Sequence, residues 1–339
     1  MVMQDIVYCE LFTSDKVSAV DHFVSALGFS KVADSVETDR SSVLLCQGDV
    51  KLVVTSGRGI WRFLDSHGDG IADLAFSCDD PAAAGRRAVA AGAMRLDSAR
   101  GNLVVSGFGG VVHTLLPAAV PQGDLLADGR RWMPSPPTPT VMPARIRLLD
   151  HVAVCLAGGT LDWYADYYRD AFGFSRDSSE YVSVGGQAMD SIVVRSASGR
   201  ATFTLVAPDP AKERGQLDTY LERNSGPGVQ HLAFLVDDII AAVGEARDRG
   251  VEFLNTPDAY YDLLAERFEG DAQRISELRK AQVLADRDEW GHLLQVFSRS
   301  PYERNTLFFE LIQRQGSRGF GSANIRALYE AVERDRLTS

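Results

Sequence analysis

The sequence predicts an α+β fold in which duplicated βαβββ modules build two curved, barrel-like mixed sheets, closed by a C-terminal helix. Three observations predict it: one strand–helix signature that occurs twice, a second helix–glycine–strand signature that also occurs twice, and β-rich runs at regular spacing between them.

The first signature reads GIADLAFSCDDPAAAGRRAVAAGA over 70–93 and GVQHLAFLVDDIIAAVGEARDRGVEF over 228–253. Both copies give Gly, two residues, one variable position, Leu-Ala-Phe, a paired Asp, then an amphipathic helix stopped by Gly. The variable position is Asp73 in one copy and His231 in the other. The second signature pairs AVDHFVSALGFSKV (19–32) with LDWYADYYRDAFGFSRD (161–177), each a helix ended by Gly before a new strand. Between the copies lies PAAVPQGDLLADGRRWMPSPPTPTVMP (117–143), whose seven prolines mark a linker.

The second half shows the elements most clearly. HVAVCL (151–156) is a strand, followed by a helix over 160–172 and strands near 181–186, 190–196 and 201–207. HLAFLV (231–236) opens the second unit, with a helix over 238–249 and strands at 251–254, 281–286, 292–298 and 306–313. DAYYDLLAERFEGDAQRISELRK (258–280) reads as an insertion of one or two short helices. A last helix is expected from Ala323 to Arg336, with Ser322 as its N-cap and Ile325, Leu328, Tyr329 and Val332 as its apolar stripe. Sheets of this kind can curl around a cavity, a natural place for a ligand.

Composition narrows the function. The 339 residues carry 35 basic against 46 acidic side chains, a net charge of −11, with no basic run. Nucleic acid and anionic membrane are therefore poor partners. The four cysteines match no CxxC spacing, which argues against a disulfide frame or a thiolate zinc site. Neither a signal peptide nor a membrane span is read, so a soluble cytoplasmic protein is the expectation. The state of assembly is left open, a homo-oligomer included.

Six histidines are present, and two of them, His151 and His231, open strands at equivalent places in the repeat. Glu310 lies in the last strand with apolar neighbours on both sides. A carboxylate buried alone costs several kcal/mol. If the second sheet closes, all three side chains can face one cavity as a two-histidine, one-carboxylate triad of the non-haem Fe(II) type. On pattern alone, core histidines and a solvated glutamate remain an equal alternative. The first half has Tyr8 and Asp73 near the corresponding places and reads as a copy without a site. RQGSRGFG (314–321) lacks the lysine pattern of a phosphate loop.

At these residues the chain resembles the 4-hydroxyphenylpyruvate dioxygenase family, of the vicinal-oxygen-chelate fold. LDHVAV, GVQHLAFLVDD, FLNTPDAYYDLL, HLLQVFS, FFELIQRQG and GFGSANIRALYEAVE carry the resemblance, in the family's order. It implies Fe(II) held by His151, His231 and Glu310, O2 as co-substrate, and a small aromatic 2-oxo acid chelating the metal. It also implies a pocket of Ser191, Gln216, Gln230, Gln295, Phe297, Phe308 and Phe320. Gln230 directly precedes His231, so simple strand alternation would turn it to the opposite face.

One branch of the family makes homogentisate by ring attack, and the other makes 4-hydroxymandelate by benzylic hydroxylation. The dioxygenase branch typically has Pro-x-Asn-Glu-Pro where this chain has Thr204-Leu205-Val206-Ala207-Pro208. It begins its last helix with Gly-Asn-Phe, where this chain has Ala323-Asn324-Ile325. Thr204, Val206, Asn324 and Ile325 therefore resemble the hydroxymandelate branch, with Ile325 as the product selector. That branch suggests specialised metabolism, such as antibiotic biosynthesis. A non-catalytic binder on the same fold is a third, lesser reading. The expected division is 1–120, a metal-free vicinal-oxygen-chelate-like domain; 121–147, the linker; and 148–339, the catalytic domain with the iron site and a lid helix hinged on the loop glycines.

Overall fold

The computed structural model describes residues 3–120, 124–136, 145–267, 272–321 and 324–326. The first sheet contains β1 (Met3–Phe12), β2 (Ser30–Val36), β3 (Ser41–Gln47), β4 (Val50–Ser56), β5 (Gly70–Cys78), β6 (Arg95–Leu96), β7 (Leu103–Ser106), β8 (Val112–Pro117) and β9 (Met133–Pro134). The second contains β10 (Ile146–Cys155), β11 (Ser175–Val184), β12 (Gln187–Arg195), β13 (Thr202–Pro208), β14 (Gly228–Val236), β15 (Leu284–Arg287), β16 (His292–Phe297) and β17 (Phe308–Gln315). Their spatial orders are 6-7-8-5-1-4-3-2-9 and 11-12-13-10-14-17-16-15. The expected α+β class and duplicated, curled mixed sheets are borne out.

Each sheet is built outward from an antiparallel central pair, β1–β5 or β10–β14, and each central strand has a parallel partner on its other side. The helices pack against the sheets: α1 (Lys16–Asp21, continued by a π-turn over His22–Ala26), α2 (Trp61–His67), α3 (Pro81–Ala90), α4 (Leu161–Phe172), α5 (Gln216–Arg223), α6 (Ile239–Asp248), α7 (Asp258–Arg267) and α8 (Ala272–Ala281). The paired aspartates of the repeat have a local reason. Asp80 and Asp238 are N-caps, each accepting from a backbone N–H at 3.0 Å, Ala83 for α3 and Ala241 for α6. Gly28 and Gly173 end the other helix pair with φ of +79° and +76°, which an L side chain adopts only under strain.

One apolar core runs through both halves. At their junction, His113 of β8 stacks on Phe76 at 4.4 Å and is hydrogen-bonded through Nε2 to the Tyr168 hydroxyl at 2.9 Å. Burial pushes its pKa down to about 3, so it is a neutral core histidine.

Two expectations need correction. Residues 251–254 are not a strand; Phe253 makes only an isolated bridge to Ser298. The proline-rich span is more than a tether. Within it, β9 pairs with β2, and Arg130 is buried inside the first sheet. The insertion folds as the two helices α7 and α8. Of the last helix, Asn324–Arg326 is helical, while the proposed cap Ser322 and the stripe residues Leu328, Tyr329 and Val332 lie outside the described residues.

Candidate metal centre

β10, β14 and β17 bring His151, His231 and Glu310 to one point inside the second sheet. Ala153 pairs with His231 across the antiparallel centre, and Ala233 pairs with Glu310 across the parallel neighbour. His231 Nε2 lies 3.4 Å from His151 Nε2. Glu310 Oε2 lies 3.3 Å from His151 Nε2 and 3.2 Å from His231 Nε2. These three atoms form a nearly equilateral triangle. Ligands about 2.1 Å from one metal and at right angles would be about 3 Å apart, so the triangle matches one face of an octahedron. Glu310 Oε2 is buried with no hydrogen-bond partner, as expected of an atom reserved for a metal. The donor set and the orphaned oxygen fit a divalent ion.

Other side chains fix these ligands. Gln295 Nε2 donates to Glu310 Oε1 at 2.8 Å, which leaves Oε2 to face the histidines. Asp150 Oδ1 lies 2.9 Å from His151 Nδ1, and Arg314 grips the same carboxylate through Nε and Nη2, both at 2.7 Å. Such a carboxylate–histidine pair sets the tautomer and turns Nε2 toward the metal. Burial opposes protonation of His151, but the Glu310 and Asp150 charges outweigh it and push its pKa up to about 9. Burial likewise opposes ionisation of Glu310, and the two histidines overcome it, holding the carboxyl near 2. For His231 burial dominates and lowers the pKa.

The register explains how neighbouring residues can share a face. The β10–β14 ladder slips between Leu149 and His151 and again opposite Gln230, between Val229 and His231. Asp150 and Gln230 are thus bulge residues. The bulge overrides the alternation that would have turned Gln230 away: its Oε1 stands 3.3 Å from His231 Nδ1 and it lines the cavity.

The cavity over the triad encloses about 740 Å³, its open mouth included. Phe297, Phe308 and Phe320 form an aromatic wall; Phe308 stacks on His231 at 4.9 Å and Phe320 stands edge-on to His151 at 5.2 Å. Val206 and Ile325 belong to an aliphatic wall with Met189 and Leu217. Thr204, Gln216, Gln230 and Gln295 supply polarity. The Thr204 hydroxyl and Gln216 Nε2 are buried without a hydrogen-bond partner.

Two expected pocket residues stand back from this lining. Ser191, on β12 opposite Val206, gives its hydroxyl to the Glu180 carbonyl at 3.3 Å. Asn324 is fully buried behind Gln295, to which its Nδ2 donates at 2.8 Å. The 316–321 loop is pinned, not a bare hinge: Asp288 Oδ2 accepts from Ser317 Oγ, Arg318 N and Gly319 N at 2.7–2.8 Å. Sequence reading missed Asp150, although its place beside a ligand histidine was a usable signal. It also missed Arg314, Met189, Leu217 and Leu254, which carried none.

Comparison with known proteins agrees with this geometry. The family model described as Glyoxalase/Bleomycin resistance protein/Dioxygenase superfamily matches residues 148–296. The 4-hydroxyphenylpyruvate dioxygenase of Neurospora crassa is 34% identical over 80% of this chain and 71% of its own. That of Dictyostelium discoideum is 28% identical over 99% of both. Among solved structures, a triple mutant of 4-hydroxymandelate synthase from Streptomyces coelicolor superposes with a TM-score of 0.90 at 49% identity, covering 99% of this chain and 100% of that one.

Proposed function

The chain belongs to the 4-hydroxyphenylpyruvate dioxygenase family, and on that premise we propose that it acts as a 4-hydroxymandelate synthase. The reaction is 4-hydroxyphenylpyruvate plus O2 to 4-hydroxymandelate plus CO2. His151, His231 and Glu310 would hold Fe(II). Bound there, the ion supplies chelation of the 2-oxo acid and activation of O2.

The chain's own residues do the rest. Asp150 and Gln295 hold a histidine and the carboxylate in their ligating orientation, so little reorganisation is left for catalysis. Phe297, Phe308 and Phe320 enclose the substrate ring and exclude water. Thr204 Oγ1 and Gln216 Nε2 are ready donors for its polar ends.

The observation that carries the choice of product is the aliphatic wall in which Ile325 packs against the cluster containing Val206. An isoleucine and a valine offer neither a flat aromatic face nor a polar contact to hold the ring over the metal. The ring would settle against this wall with its benzylic CH2 turned toward the triad. A shift of about 1 Å is enough to decide between competing steps. The homogentisate reading requires the ring carbon there instead.

The test is the triple substitution Thr204→Pro, Val206→Asn, Ile325→Phe, with products separated after single turnovers. The expected result is a shift from 4-hydroxymandelate toward homogentisate. An unchanged product ratio would remove this wall as the selector.

A further inference from the structure

We propose that Tyr260, on the inserted helix α7, is a positioning residue that sets the product-selecting wall and the iron-binding carboxylate at once. The proposal rests on the functional reading above and goes beyond it, because Tyr260 is neither one of the residues lining the cavity nor a member of the triad.

The observation is an oriented relay. The Ala285 N–H donates to Tyr260 Oη at 2.8 Å. The Tyr260 hydroxyl donates to Asn324 Oδ1 at 2.9 Å. Asn324 Nδ2 donates to Gln295 Oε1 at 2.8 Å, and Gln295 Nε2 donates to Glu310 Oε1 at 2.8 Å. Every donor in this series faces an acceptor, so the two amides have one orientation that satisfies all four bonds. Reversing Asn324 would set its carbonyl against that of Gln295, and reversing Gln295 would set its carbonyl against the Glu310 carboxylate.

The surroundings hold the relay in place. Asn324 is fully buried, and Gln295 and Glu310 are nearly so. A Cβ on Gly321 would lie 2.1 Å from Gln295 Oε1, so a glycine is needed where this segment crosses the glutamine. Ile325 follows Asn324 directly, and its N–H donates to the Gly321 carbonyl at 2.8 Å. Fixing the Asn324 amide therefore fixes the side chain next to it in the cavity wall. The Tyr260 hydroxyl also lies 2.9 Å from the Ala285 carbonyl, so a freed hydroxyl has another acceptor and the Asn324 end can let go.

The test uses Tyr260→Phe and Asn324→Ala, singly and together, in the full chain. Amide exchange is read on metal-free protein. Tyr260→Phe should speed exchange at Ile325 about fivefold to tenfold, the worth of one hydrogen bond. The Ala285 amide, which shares the phenol, should follow, while the core strand around Leu294 stays unchanged. Adding Tyr260→Phe to Asn324→Ala should change Ile325 no further, because the two act through one bond. With Fe(II), substrate and O2, Tyr260→Phe should lower the fraction of product hydroxylated at the benzylic carbon. An unchanged Ile325 amide in Tyr260→Phe would overturn the proposal, as would additive effects in the double variant or a general rise in exchange. If wild-type enzyme yields homogentisate, the functional reading fails, and the exchange experiment still decides on the relay.

Discussion

The two halves share one scaffold and answer the same electrostatic problem differently. Register makes Tyr8 the counterpart of His151, since each pairs with the alanine two residues past the variable position of the repeat. Asp73 is the counterpart of His231, and Thr114 stands where the other half has Glu310. In the second half a carboxylate and two imidazoles converge on a point that suits a cation. In the first, the Thr114 hydroxyl donates to Asp73 at 2.5 Å, and Glu10 occupies the place of Ala153. Arg130, from the proline-rich span, enters fully buried and pairs with Glu10 and with Asp128. An internal guanidinium thus fills the cup that a metal and substrate would fill in its twin. The difference teaches that the duplicated bulges and ladders make a cup, and a few side chains decide what occupies it.

The comparison can be broken most forcefully at the ligands. Glu310→Ala or His231→Ala should cost several kcal/mol of catalysis, roughly a thousandfold or more, and abolish tight metal binding by titration. Asp73→Ala in the first half should leave metal stoichiometry unchanged.

Next in size is the arginine. Arg130→Met strands two buried carboxylates and should destabilise the fold by about 3–5 kcal/mol in urea unfolding. Replacing Glu10 and Asp128 by apolar residues as well should recover most of that loss.

A finer test is Asp150→Asn, which removes the charge behind His151 and should weaken metal affinity by about 10–100-fold.

The most graded effect is a pH dependence, a small change at each step of pH. The His151 pKa is raised from its ordinary 6.5 to about 9, so below that pH a metal must displace a proton. Apparent affinity should rise about tenfold per pH unit between pH 7 and 9 and then level off. The sign for folding is opposite. In metal-free protein the stabilisation from this histidine is full below 6.5 and is lost as pH rises through 9. Calorimetric titration and thermal melts at several pH values check both.

Much of this was legible in the sequence, for physical reasons. The paired aspartates, the terminal glycines and the apolar strands are local signals, and they gave the repeat and the helices. The residues alone left the triad level with core histidines and a solvated glutamate; the apolar neighbours of Glu310 and the repeat-equivalent histidines were its physical signal, and the family resemblance pointed to it. What escaped depends on contacts between distant segments. Gln230 faces the cavity because of a bulge, which alternation cannot foresee. Arg130 lies in a stretch whose prolines suggest only a linker, and its partner Glu10 is 120 residues away. Tyr260 reaches Asn324 across 64 residues. Ser191 gives its hydroxyl to the carbonyl of Glu180, its partner on the neighbouring strand, a contact set by sheet register.

The most direct measurement is to load the protein anaerobically with Fe(II), add 4-hydroxyphenylpyruvate and O2, and separate the products. The account predicts 4-hydroxymandelate with one equivalent of CO2 and one iron per chain. Homogentisate as the main product, or turnover that survives Glu310→Ala, would contradict it.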